Sequence, residues 1–418
     1  MWSNERFLKK IRNYILKSEV KKMKKNILFV IDSLDCAGAE KSLVTLLSLL
    51  NYSEYSVDLM LFAHDGILKE LVPKEVNILE PLTYTEFSNL SLLSALDFSI
   101  KKVNFKMMAA RLKYSFNIRR ERNNNLQKAR LFWQAINPVI ENNYKNYDIA
   151  ISYAQGIPTF YVAEKVKAKI KLAWVNVSYR LDEKEKKFQQ DFYDQYDKIV
   201  AVSESTKEIF NETFDQYTNN THVIYDINNA DFIMKMADIG TSYNDKYDGI
   251  RILTIGRLNH QKGYDIAIAA CKKLKEEGLD FRWYVLGKGP LREDIEKQIE
   301  RDGLMDHFKL LGVEANPYPF IKDADIYVQT SRFEGFGLAI AEARMLNVPV
   351  VTTRFDAVYN QMVDEKNGLV VDMNANGVSE GIMRLINEED IKEKIINYLK
   401  TEKKGNQEEL DKFIQLIG

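Results

Sequence analysis

The sequence predicts an α/β fold made of two doubly wound domains that face a central cleft. Apolar strand-like runs alternate regularly with amphipathic helical runs, which is typical of parallel sheets covered by helices on both faces. This alternation starts at residue 26 and starts again at residue 250, after a polar, turn-rich segment at 242–249. The chain has 418 residues, which is enough for two or three domains of about 150 residues each.

The first domain opens with an apolar strand at 27–31, a small-residue loop at 35–40 and a helix at 41–50. A second apolar strand follows at 55–62. This strand–loop–helix–strand order is typical of a right-handed parallel βαβ unit. Three further runs are predicted as strands, at 147–153, 170–177 and 197–203.

The second domain repeats the same alternation. Its predicted strands lie at 250–256, 281–287, 324–330 and 348–353, and its predicted helices lie at 264–276, 291–301 and 338–346. In doubly wound sheets, ligands bind beyond the carboxyl ends of the strands. The loops that follow these strands are therefore the expected place for the chemistry.

These patterns divide the chain into four parts. Residues 1–22 form an N-terminal extension, and residues 23–245 form the first domain, with a basic insert near 84–145. Residues 246–392 form the second domain, and residues 393–418 form a C-terminal helical segment.

The N-terminal extension has the pattern of a basic amphipathic helix. Phe7, Ile11 and Ile15 recur at a spacing of four, with lysines and arginines between them. Such a helix suits a membrane interface or a partner protein. The alternative is an upstream extension without a function, because Met23 opens a run that would also serve as a natural start.

Composition excludes several classes of protein. The formal net charge is −1, so the whole chain carries no bias toward nucleic acid or membranes. Cys36 and Cys271 stand far apart, which excludes a disulfide scaffold and a cysteine-based zinc site. No apolar run reaches the length of about 18–20 residues that spans a bilayer. We therefore expect a soluble, cytoplasmic protein.

Positive charge is concentrated at 101–130, where ten basic residues stand against one acid. Phe105, Met108, Leu112 and Phe116 recur there at helical spacing. One interpretation is a surface that meets anionic lipid or an anionic acceptor. Another is a solvated helical face paired with acids from elsewhere in the chain. A third is RNA binding, but no nucleic-acid motif accompanies the charge, and we expect no nucleic-acid partner.

The loop after the strand at 250–256 carries two cations. Gly256 and Arg257 open it, and Lys262 closes it five residues later, just before a helix. Two cations beside a helix N-terminus suit a diphosphate, through charge-assisted hydrogen bonds and the helix dipole. The spacing does not match a Walker A loop. By itself, this pattern is as frequent in ordinary exposed loops as in loops that bind a diphosphate.

The loop after the strand at 324–330 carries two glutamates. Glu334 lies on the loop and Glu342 lies about one turn into the following helix, so both carboxylates are expected to face one cleft. Gly335 and Gly337 between them allow the backbone to approach a ligand closely. Carboxylates accept hydrogen bonds from sugar hydroxyls, but a pair of acids is also compatible with a glycoside hydrolase.

Together these motifs resemble the retaining glycosyltransferases of family 4, which have the GT-B fold of two Rossmann-like domains. The resemblance rests on G-R-x-x-x-x-K-G at 256–263, on the two glutamates in SRFEGFGLAIAEA, and on VPVVTT and NGLVV further on. It extends over residues 26–400, with weaker support in the first half from NILFVIDSLDCAGAEKS and DKIVAVSESTKEIF. It also implies that the final helix, within 389–416, crosses back toward the first domain.

The resemblance implies that the second domain binds a nucleotide-sugar and the first domain binds the acceptor. Gly256, Arg257 and Lys262 would then hold the donor diphosphate, and the two cations would stabilise the departing nucleotide. Glu334 would bind hydroxyls of the donor sugar, and Glu342 would bind the ribose. The sugar and the phosphate would contact the backbone N–H groups of Phe336, Gly337 and Leu338.

The sequence departs from the family pattern at two positions. In the first loop, many relatives have two glycines, whereas here Ala37 precedes Gly38, the residue that would let the first domain close on the donor. Relatives commonly carry a histidine where this chain has Asn176, after the strand that ends in LAWV. Asn176 remains a catalytic candidate because its amide donates hydrogen bonds, but it cannot take up a proton.

Other polar residues invite different interpretations. Asp323 and Asp325 match the D-x-D pattern of metal-dependent glycosyltransferases, but they precede a strand and Arg257 and Lys262 already supply cations, so we expect no metal. Three histidines are isolated in the sequence and give no zinc-site spacing, namely His222, His260 and His307.

The sequence thus predicts a retaining, metal-independent glycosyltransferase that needs no cofactor. Its expected partners are a nucleotide-sugar donor and a glycan or lipid-linked acceptor, in bacterial surface-polysaccharide or glycoconjugate synthesis. The expected location is the cytoplasm, with a peripheral position on the inner face of the cell membrane through residues 101–130. Two alternatives remain, a GT-B partner subunit with weak catalysis and a two-carboxylate hydrolase.

Overall fold

The structure is a computed structural model of the full chain. It describes residues 24–35, 38–64, 66–101, 105–120, 125–177, 181–314 and 316–418. The N-terminal extension at 1–22 and the loop residue Ala37 lie outside the described residues. Within the described residues, no helix combines the length and the apolar character that crossing a membrane requires.

The first domain is built on a seven-stranded, all-parallel sheet with the strand order β3-β2-β1-β4-β5-β6-β7. The order reverses at β1, which is the doubly wound arrangement predicted from the sequence. Its strands are β1 (Lys25–Ile31), β2 (Tyr55–Leu61), β3 (Asn77–Ile78), β4 (Asn143–Ser152), β5 (Val166–Val175), β6 (Lys198–Ala201) and β7 (Thr221–Val223).

Helices cover both faces of this sheet, and four of them form the insert between β3 and β4. The helices of the first half are α1 (Gly38–Leu49), α2 (Thr83–Asn89), α3 (Leu92–Lys101), α4 (Phe105–Arg120), α5 (Asn125–Ile136), α6 (Ile157–Lys165), α7 (Glu183–Tyr193) and α8 (Glu204–Thr213). The basic stretch therefore folds as parts of several helices.

The second domain has a six-stranded, all-parallel sheet with the order β10-β9-β8-β11-β12-β13. The strands are β8 (Ile250–Ile255), β9 (Phe281–Leu286), β10 (Phe308–Gly312), β11 (Ile326–Gln329), β12 (Val350–Thr353) and β13 (Leu369–Val371). The helices of this half are α9 (Ala230–Ala237), α10 (Tyr264–Glu276), α11 (Arg292–Arg301), α12 (Tyr318–Lys322), α13 (Leu338–Met345), α14 (Ala375–Asn387), α15 (Glu389–Thr401) and α16 (Glu408–Ile417).

The strands are apolar on both faces because both faces carry a core. In β1, Ile27 and Phe29 point into one apolar cluster and Leu28 and Val30 point into another. Successive side chains on a strand point to opposite faces, so a continuous apolar run is what a strand buried between two helix layers needs. This explains why the strand positions were predictable.

The chain crosses between the domains twice. Ile233 of α9 packs in a core cluster of the second domain, beside Leu253, although the sequence pattern predicts that this segment belongs to the first domain. Phe413 and Ile417 of α16 pack in the first domain. Lys198 Nζ also donates to the carbonyl of Leu416 at 2.7 Å. The apolar face of each helix, rather than its position in the sequence, decides which domain it joins.

The basic stretch is only partly a charged surface. Arg130 is buried and pairs with Glu185, with 2.5 Å between Arg130 Nε and Glu185 Oε1. Arg111 Nη2 donates to the carbonyl of Leu90 at 2.8 Å. Among the described residues of the stretch, Lys106, Lys113, Arg119 and Lys128 are exposed. Part of the predicted charge therefore holds the insert together instead of facing solvent.

Candidate active site

The predicted site loops lie at the carboxyl ends of the strands, where the two domains meet. A Cβ atom added to Gly335 would stand 1.9 Å from the backbone oxygen of Asn176 in the other domain. A Cβ added to Gly38 would stand 3.4 Å from Leu338 Cδ1. These close approaches across the cleft show that the domains are closed around the site in this structure.

The cationic loop after β8 is shaped by a glycine and an asparagine. The Asn259 side chain accepts a hydrogen bond from the backbone N–H of Lys262 and caps a short 3₁₀ turn. Gly263 then adopts a left-handed conformation with φ of 64°, and a Cβ there would stand 2.1 Å from the oxygen of Thr330. Only glycine fits this corner, and it turns Lys262 toward the cleft.

Lys262 and Glu334 meet in the cleft. Lys262 Nζ lies 2.5 Å from Glu334 Oε1. The same carboxylate oxygen accepts hydrogen bonds from Ser331 Oγ at 2.5 Å and from Gln329 Nε2 at 3.2 Å. The Lys262 side chain passes over Gly256, where an added Cβ would stand 3.1 Å from Lys262 Cδ. The structure thus brings together two residues that are 72 positions apart.

Arg257 faces two carboxyl groups of the first domain, Asp32 and Glu40. Asp32 follows β1 directly and still touches solvent, but the surrounding protein removes much of its water. This desolvation, together with the charge of Glu40, raises the pKa of Asp32 to about 7, against the opposing effect of Arg257. Burial also raises the pKa of Glu40. The cleft therefore holds two carboxyl groups whose pKa values are raised above their usual range.

The start of α13 offers hydrogen-bond donors to the cleft. Gly337 has φ of 87° and precedes the first helical residue, Leu338. In the described part of the chain, no acceptor receives the N–H groups of Phe336, Gly337 or Leu338. The first N–H groups of a helix lack intrahelical partners and carry the positive end of the dipole, so they suit a phosphate or a sugar hydroxyl.

Glu342 lies one turn into α13, with 2 % of its surface exposed. Lys41 Nζ, which belongs to α1 of the first domain, lies 3.0 Å from both carboxylate oxygens of Glu342. Tyr318 donates its hydroxyl hydrogen to Glu342 Oε1 at 3.1 Å. Glu334 and Glu342 are thus in the same cleft region, but each carboxylate is paired with a different lysine.

Asn176 directly follows β5 and lies at the contact between the domains. Its amide nitrogen donates to the backbone oxygen of Tyr153 at 2.9 Å. Its Oδ1 atom is buried and accepts no hydrogen bond within the described part of the chain. The sequence predicts that the Asn176 amide donates a hydrogen bond to the substrate, whereas in the structure its nitrogen already donates to Tyr153 and its oxygen is the atom available to accept.

The polar residues outside the cleft have structural partners. Asp325 Oδ2 accepts the backbone N–H of Arg251 at 2.8 Å, and Asp323 Oδ2 accepts the Ser242 hydroxyl at 2.5 Å. Both aspartates precede β11, so they lie at the opposite edge of the sheet from the Glu334 loop. His307 Nδ1 lies 3.0 Å from the carbonyl oxygen of Phe281.

Two residues of the site escaped the sequence analysis. Lys41 follows the first loop directly and stands in the first turn of α1, and Asp32 follows β1. Both positions lie at the carboxyl end of β1, where the strand order reverses and ligands are expected. Their position at the end of β1 was the signal in the sequence that could have identified them. The residues that they face belong to the other domain and could not be read from the sequence around them.

Taken together, the cleft combines cations, carboxylates and helix N–H groups. Arg257, Lys262 and the start of α13 suit a diphosphate. Glu334 and Glu342 suit the hydroxyls of two sugar rings. The Glu334 carboxylate is held by three donors, and Glu342 is held by Lys41 and Tyr318. This set of groups is suited to binding a sugar joined to a nucleoside diphosphate.

The second domain matches a known family. The family model described as "Glycosyl transferases group 1" matches residues 241–402. The putative colanic acid biosynthesis glycosyltransferase WcaL of Escherichia coli is 31% identical over 133 residues, which are 30% of this chain and 33% of WcaL. A Campylobacter jejuni protein is 25% identical over 215 residues, 51% of this chain and 57% of that protein. Its name is N-acetylgalactosamine-N,N'-diacetylbacillosaminyl-diphospho-undecaprenol 4-alpha-N-acetylgalactosaminyltransferase.

The matches to curated relatives are partial, whereas those to solved structures extend over both domains. The chain spans between 33% and 57% of the length of the first four curated relatives that it matches. HepE of Anabaena, solved with UDP and glucose, has a TM-score of 0.66 at 17% identity, over 94% of this chain and 98% of HepE. TarM of S. aureus has a TM-score of 0.64 at 15% identity, over 94% of this chain and 99% of TarM.

The family match and the structural matches agree with the observed architecture. The two parallel sheets, of seven and six strands, are arranged as in these solved structures. The predicted Rossmann-like pair of domains is therefore confirmed as a GT-B fold, and residues 241–402 within it match the glycosyltransferase group 1 family.

Proposed function

We propose that this protein is a retaining, metal-independent glycosyltransferase that moves a sugar from a nucleotide-sugar to a glycan or lipid-linked acceptor. The observation that carries the proposal is the convergence of Arg257, Lys262, Glu334 and Glu342 on one interdomain cleft. The alternative of a partner subunit without transfer activity is not favoured, because every residue proposed to bind the donor is present and lies within the segment that matches the glycosyltransferase group 1 family.

The roles of the residues follow from their chemistry. Arg257 and Lys262 hold the diphosphate and neutralise the charge that develops as it leaves, which is the largest catalytic effect available to such a site. Glu334 accepts hydrogen bonds from the transferred sugar, and Glu342 accepts them from the ribose. From the first domain, Asn176 Oδ1 accepts a hydrogen bond from a hydroxyl group of the substrate. Arg257 and Lys262 supply the positive charge that a divalent metal supplies in metal-dependent glycosyltransferases, so no cofactor is needed.

Transfer with retention takes place on one face of the sugar ring. The bond between the anomeric carbon and the diphosphate oxygen breaks, and the acceptor oxygen forms its bond on the same face. The acceptor proton passes to the departing diphosphate, which lies on that face. The protein's part is to hold the donor, stabilise the leaving group and exclude water through closure of the domains.

Known relatives support the choice of substrates. The HepE structure contains UDP and glucose, and the name of the Campylobacter jejuni relative specifies a sugar acceptor on diphospho-undecaprenol. WcaL is named for colanic acid biosynthesis. These proteins support a nucleotide-sugar donor, a lipid-linked acceptor and a role in bacterial polysaccharide synthesis for this chain.

The surface of the insert supports a peripheral position on an anionic membrane. Apolar side chains are exposed on one face of α3 and on one face of α4, namely Leu93, Leu96, Ile100, Phe105, Leu112 and Phe116. On α4 the exposed apolar stripe is flanked by Lys106 and Lys113 on one side and by Arg119 on the other. An apolar stripe between cations is the pattern of a helix that lies in a membrane interface.

Incubation with UDP- and GDP-sugars, scored by release of the nucleoside diphosphate, tests the proposed activity. We expect release with at least one donor, and we expect it to persist in excess chelator because Arg257 and Lys262 neutralise the diphosphate. Release with none of the donors, together with no binding of UDP or GDP, would contradict the proposed activity. Loss of release in chelator that only magnesium or manganese restores would contradict metal independence.

Flotation with anionic vesicles at low and high salt tests the membrane surface. We expect the wild type to float at low salt and less at high salt, since attraction between exposed charges is screened beyond about 8 Å at physiological ionic strength. Charge reversal of Lys106, Arg119 and Lys128 to glutamate should abolish flotation. Replacing Phe105 and Phe116 with serine should reduce it without changing the charge.

Matched measurements make the flotation result specific. Neutral vesicles should bind the wild type weakly, and transfer to a soluble acceptor analogue should be the same for all variants, because the donor loops lie in the other domain. The membrane role of the insert is refuted if the wild type stays unbound at low salt, or if the charge-reversed variant floats as well as the wild type.

A further inference from the structure

Glu342 is occupied by a residue of the opposite domain. Lys41 Nζ is equidistant from the two carboxylate oxygens, at 3.0 Å from each. A cation at equal distance from both oxygens occupies the position between them, facing the open side of the carboxylate. Two neighbouring ribose hydroxyls that donate to the two oxygens of one carboxylate need this same position. Lys41 and a ribose therefore compete for Glu342.

The contact is well shielded from water. The Lys41 side chain is 12% exposed and the Glu342 side chain is 3% exposed, so solvent screens the pair only weakly. The Lys41 ammonium group also lies 5.5 Å from the centre of the Tyr318 ring. An exposed ion pair contributes little to stability, but breaking this pair leaves a buried charge without its partner.

There is no room for a ribose beside this pair. The cavity at Lys41 and Glu342 has a volume of about 10 Å³, which is the space of about one water molecule. Its walls come from both domains, with Ser42 and Thr45 of α1 on one side and Leu338 of α13 on the other. A nucleoside can reach Glu342 only if Lys41 leaves and α1 moves away from α13.

We infer that Lys41 is a positioning residue that occupies the ribose-binding carboxylate in the empty protein and ties the two domains together there. Binding of the nucleotide breaks this interdomain contact, and release of the nucleotide restores it. Lys41 therefore holds α1 against α13 when the site is empty, and this contact is absent when the donor occupies Glu342. The contact lowers the affinity for nucleotides, because part of the population is closed and unable to bind.

This inference rests on the proposed function, because it assumes that Glu342 binds a ribose. Its first part, that Lys41 ties the domains together, does not need a nucleotide. The two parts are therefore measured separately, so that failure of the proposed function can be recognised as such.

The first measurement is the radius of gyration of the nucleotide-free protein by small-angle X-ray scattering. The variant is Lys41→Met, which keeps an unbranched side chain and removes the charge. We expect the variant to be more expanded than the wild type, because the contact between α1 and α13 is weakened. An unchanged radius of gyration would overturn the interdomain tie, whether or not nucleotides bind.

The second measurement is the dissociation constant for UDP and for GDP by calorimetry. We expect Lys41→Met to bind the preferred nucleotide about 3–10-fold more tightly than the wild type, because the competitor is gone and the apparent affinity rises with the fraction of binding-competent protein. In a Glu342→Gln background the same change should have no effect. Equal or weaker binding by Lys41→Met, or tightening that persists with Glu342→Gln, would overturn the competition.

Lys198→Met is the matched control. It also removes a lysine that ties two parts of the chain together, since Lys198 Nζ donates to the carbonyl of Leu416, but it lies at the start of β6, on the sheet edge away from the cleft. The affinity of Lys198→Met for the nucleotide should stay within about twofold of that of the wild type. This is less than the tightening expected for Lys41→Met, in which the closed population is released. If the wild type binds neither UDP nor GDP, the proposed function fails, and the scattering result alone decides the role of Lys41.

Discussion

Replacing Lys262 with alanine is expected to lower kcat/KM for sugar transfer by about 10²–10³-fold, the usual cost of removing one group that stabilises a developing negative charge. The change removes a cation from the proposed diphosphate site. It also leaves Glu334 without its ionic partner, so that only Ser331 and Gln329 hold the carboxylate. Both effects weaken the transition state more than they weaken binding of the acceptor. The measurement is steady-state transfer with the donor identified by the nucleotide-sugar screen.

The control for this prediction is Lys272→Ala. Lys272 lies on α10 of the same domain and pairs with Asp302 at 3.6 Å, and 48% of its side chain is exposed. Its loss changes the net charge equally but leaves the cleft intact, so transfer should be unchanged. Near wild-type transfer by Lys262→Ala would refute the assignment of Lys262 to the leaving group.

The second large effect is expected from Gly335→Ala. The added Cβ would stand 1.9 Å from the backbone oxygen of Asn176 and 3.0 Å from Val202 Cγ2. A backbone oxygen cannot rotate away as a flexible side chain can, so the loop that carries Glu334 must move away from the first domain. Because misplacement by about 1 Å in an active site can cost about 10²-fold, we expect transfer to fall by about that factor.

Nucleotide binding separates this effect from unfolding. The groups proposed to bind the nucleotide belong to the second domain, so the affinity of Gly335→Ala for the nucleoside diphosphate should change by less than about 3-fold, far less than its transfer rate. Gly278→Ala adds the same methyl group to a turn where nothing lies within 4 Å. Its φ of 78° strains alanine and lowers the stability of the fold, but the turn follows α10 at the end of the sheet away from the cleft, so the transfer rate of the folded protein should be that of the wild type. Wild-type transfer by Gly335→Ala would mean that this interdomain contact is not used in the reaction.

Both predictions depend on closure of the cleft, and so does the inference about Lys41. Gly335 allows the domains to approach, Lys262 and Glu334 meet on one side of the cleft, and Lys41 reaches Glu342 from the other. In the empty protein, the two carboxylates proposed to bind sugar rings are paired with lysines. Their charge is therefore balanced before a substrate arrives, which lowers the cost of holding two buried acids in one site.

Local patterns in the sequence determined most of the second domain. Helix α10 begins at Tyr264 and ends at Glu276, as its apolar spacing predicts, and the strands β8 and β9 end one residue before their predicted ends. Apolar residues repeat with a period of two in strands and of 3.6 in helices, and both periods are visible in residues that are neighbours in the sequence. The placement of Arg257, Lys262, Glu334 and Glu342 in one cleft was also predictable, because the carboxyl ends of parallel strands meet at one edge of a sheet.

Only the tertiary structure decided which groups those residues contact. Lys41 and Glu342 are 301 positions apart, and nothing in the residues around either one specifies the other. The same holds for the burial of Arg130 against Glu185, for the orientation of the Asn176 amide, and for the packing of α9 in the second domain. Each of these depends on how two separately folded surfaces fit together, whereas sequence periodicity records only which face of an element is apolar.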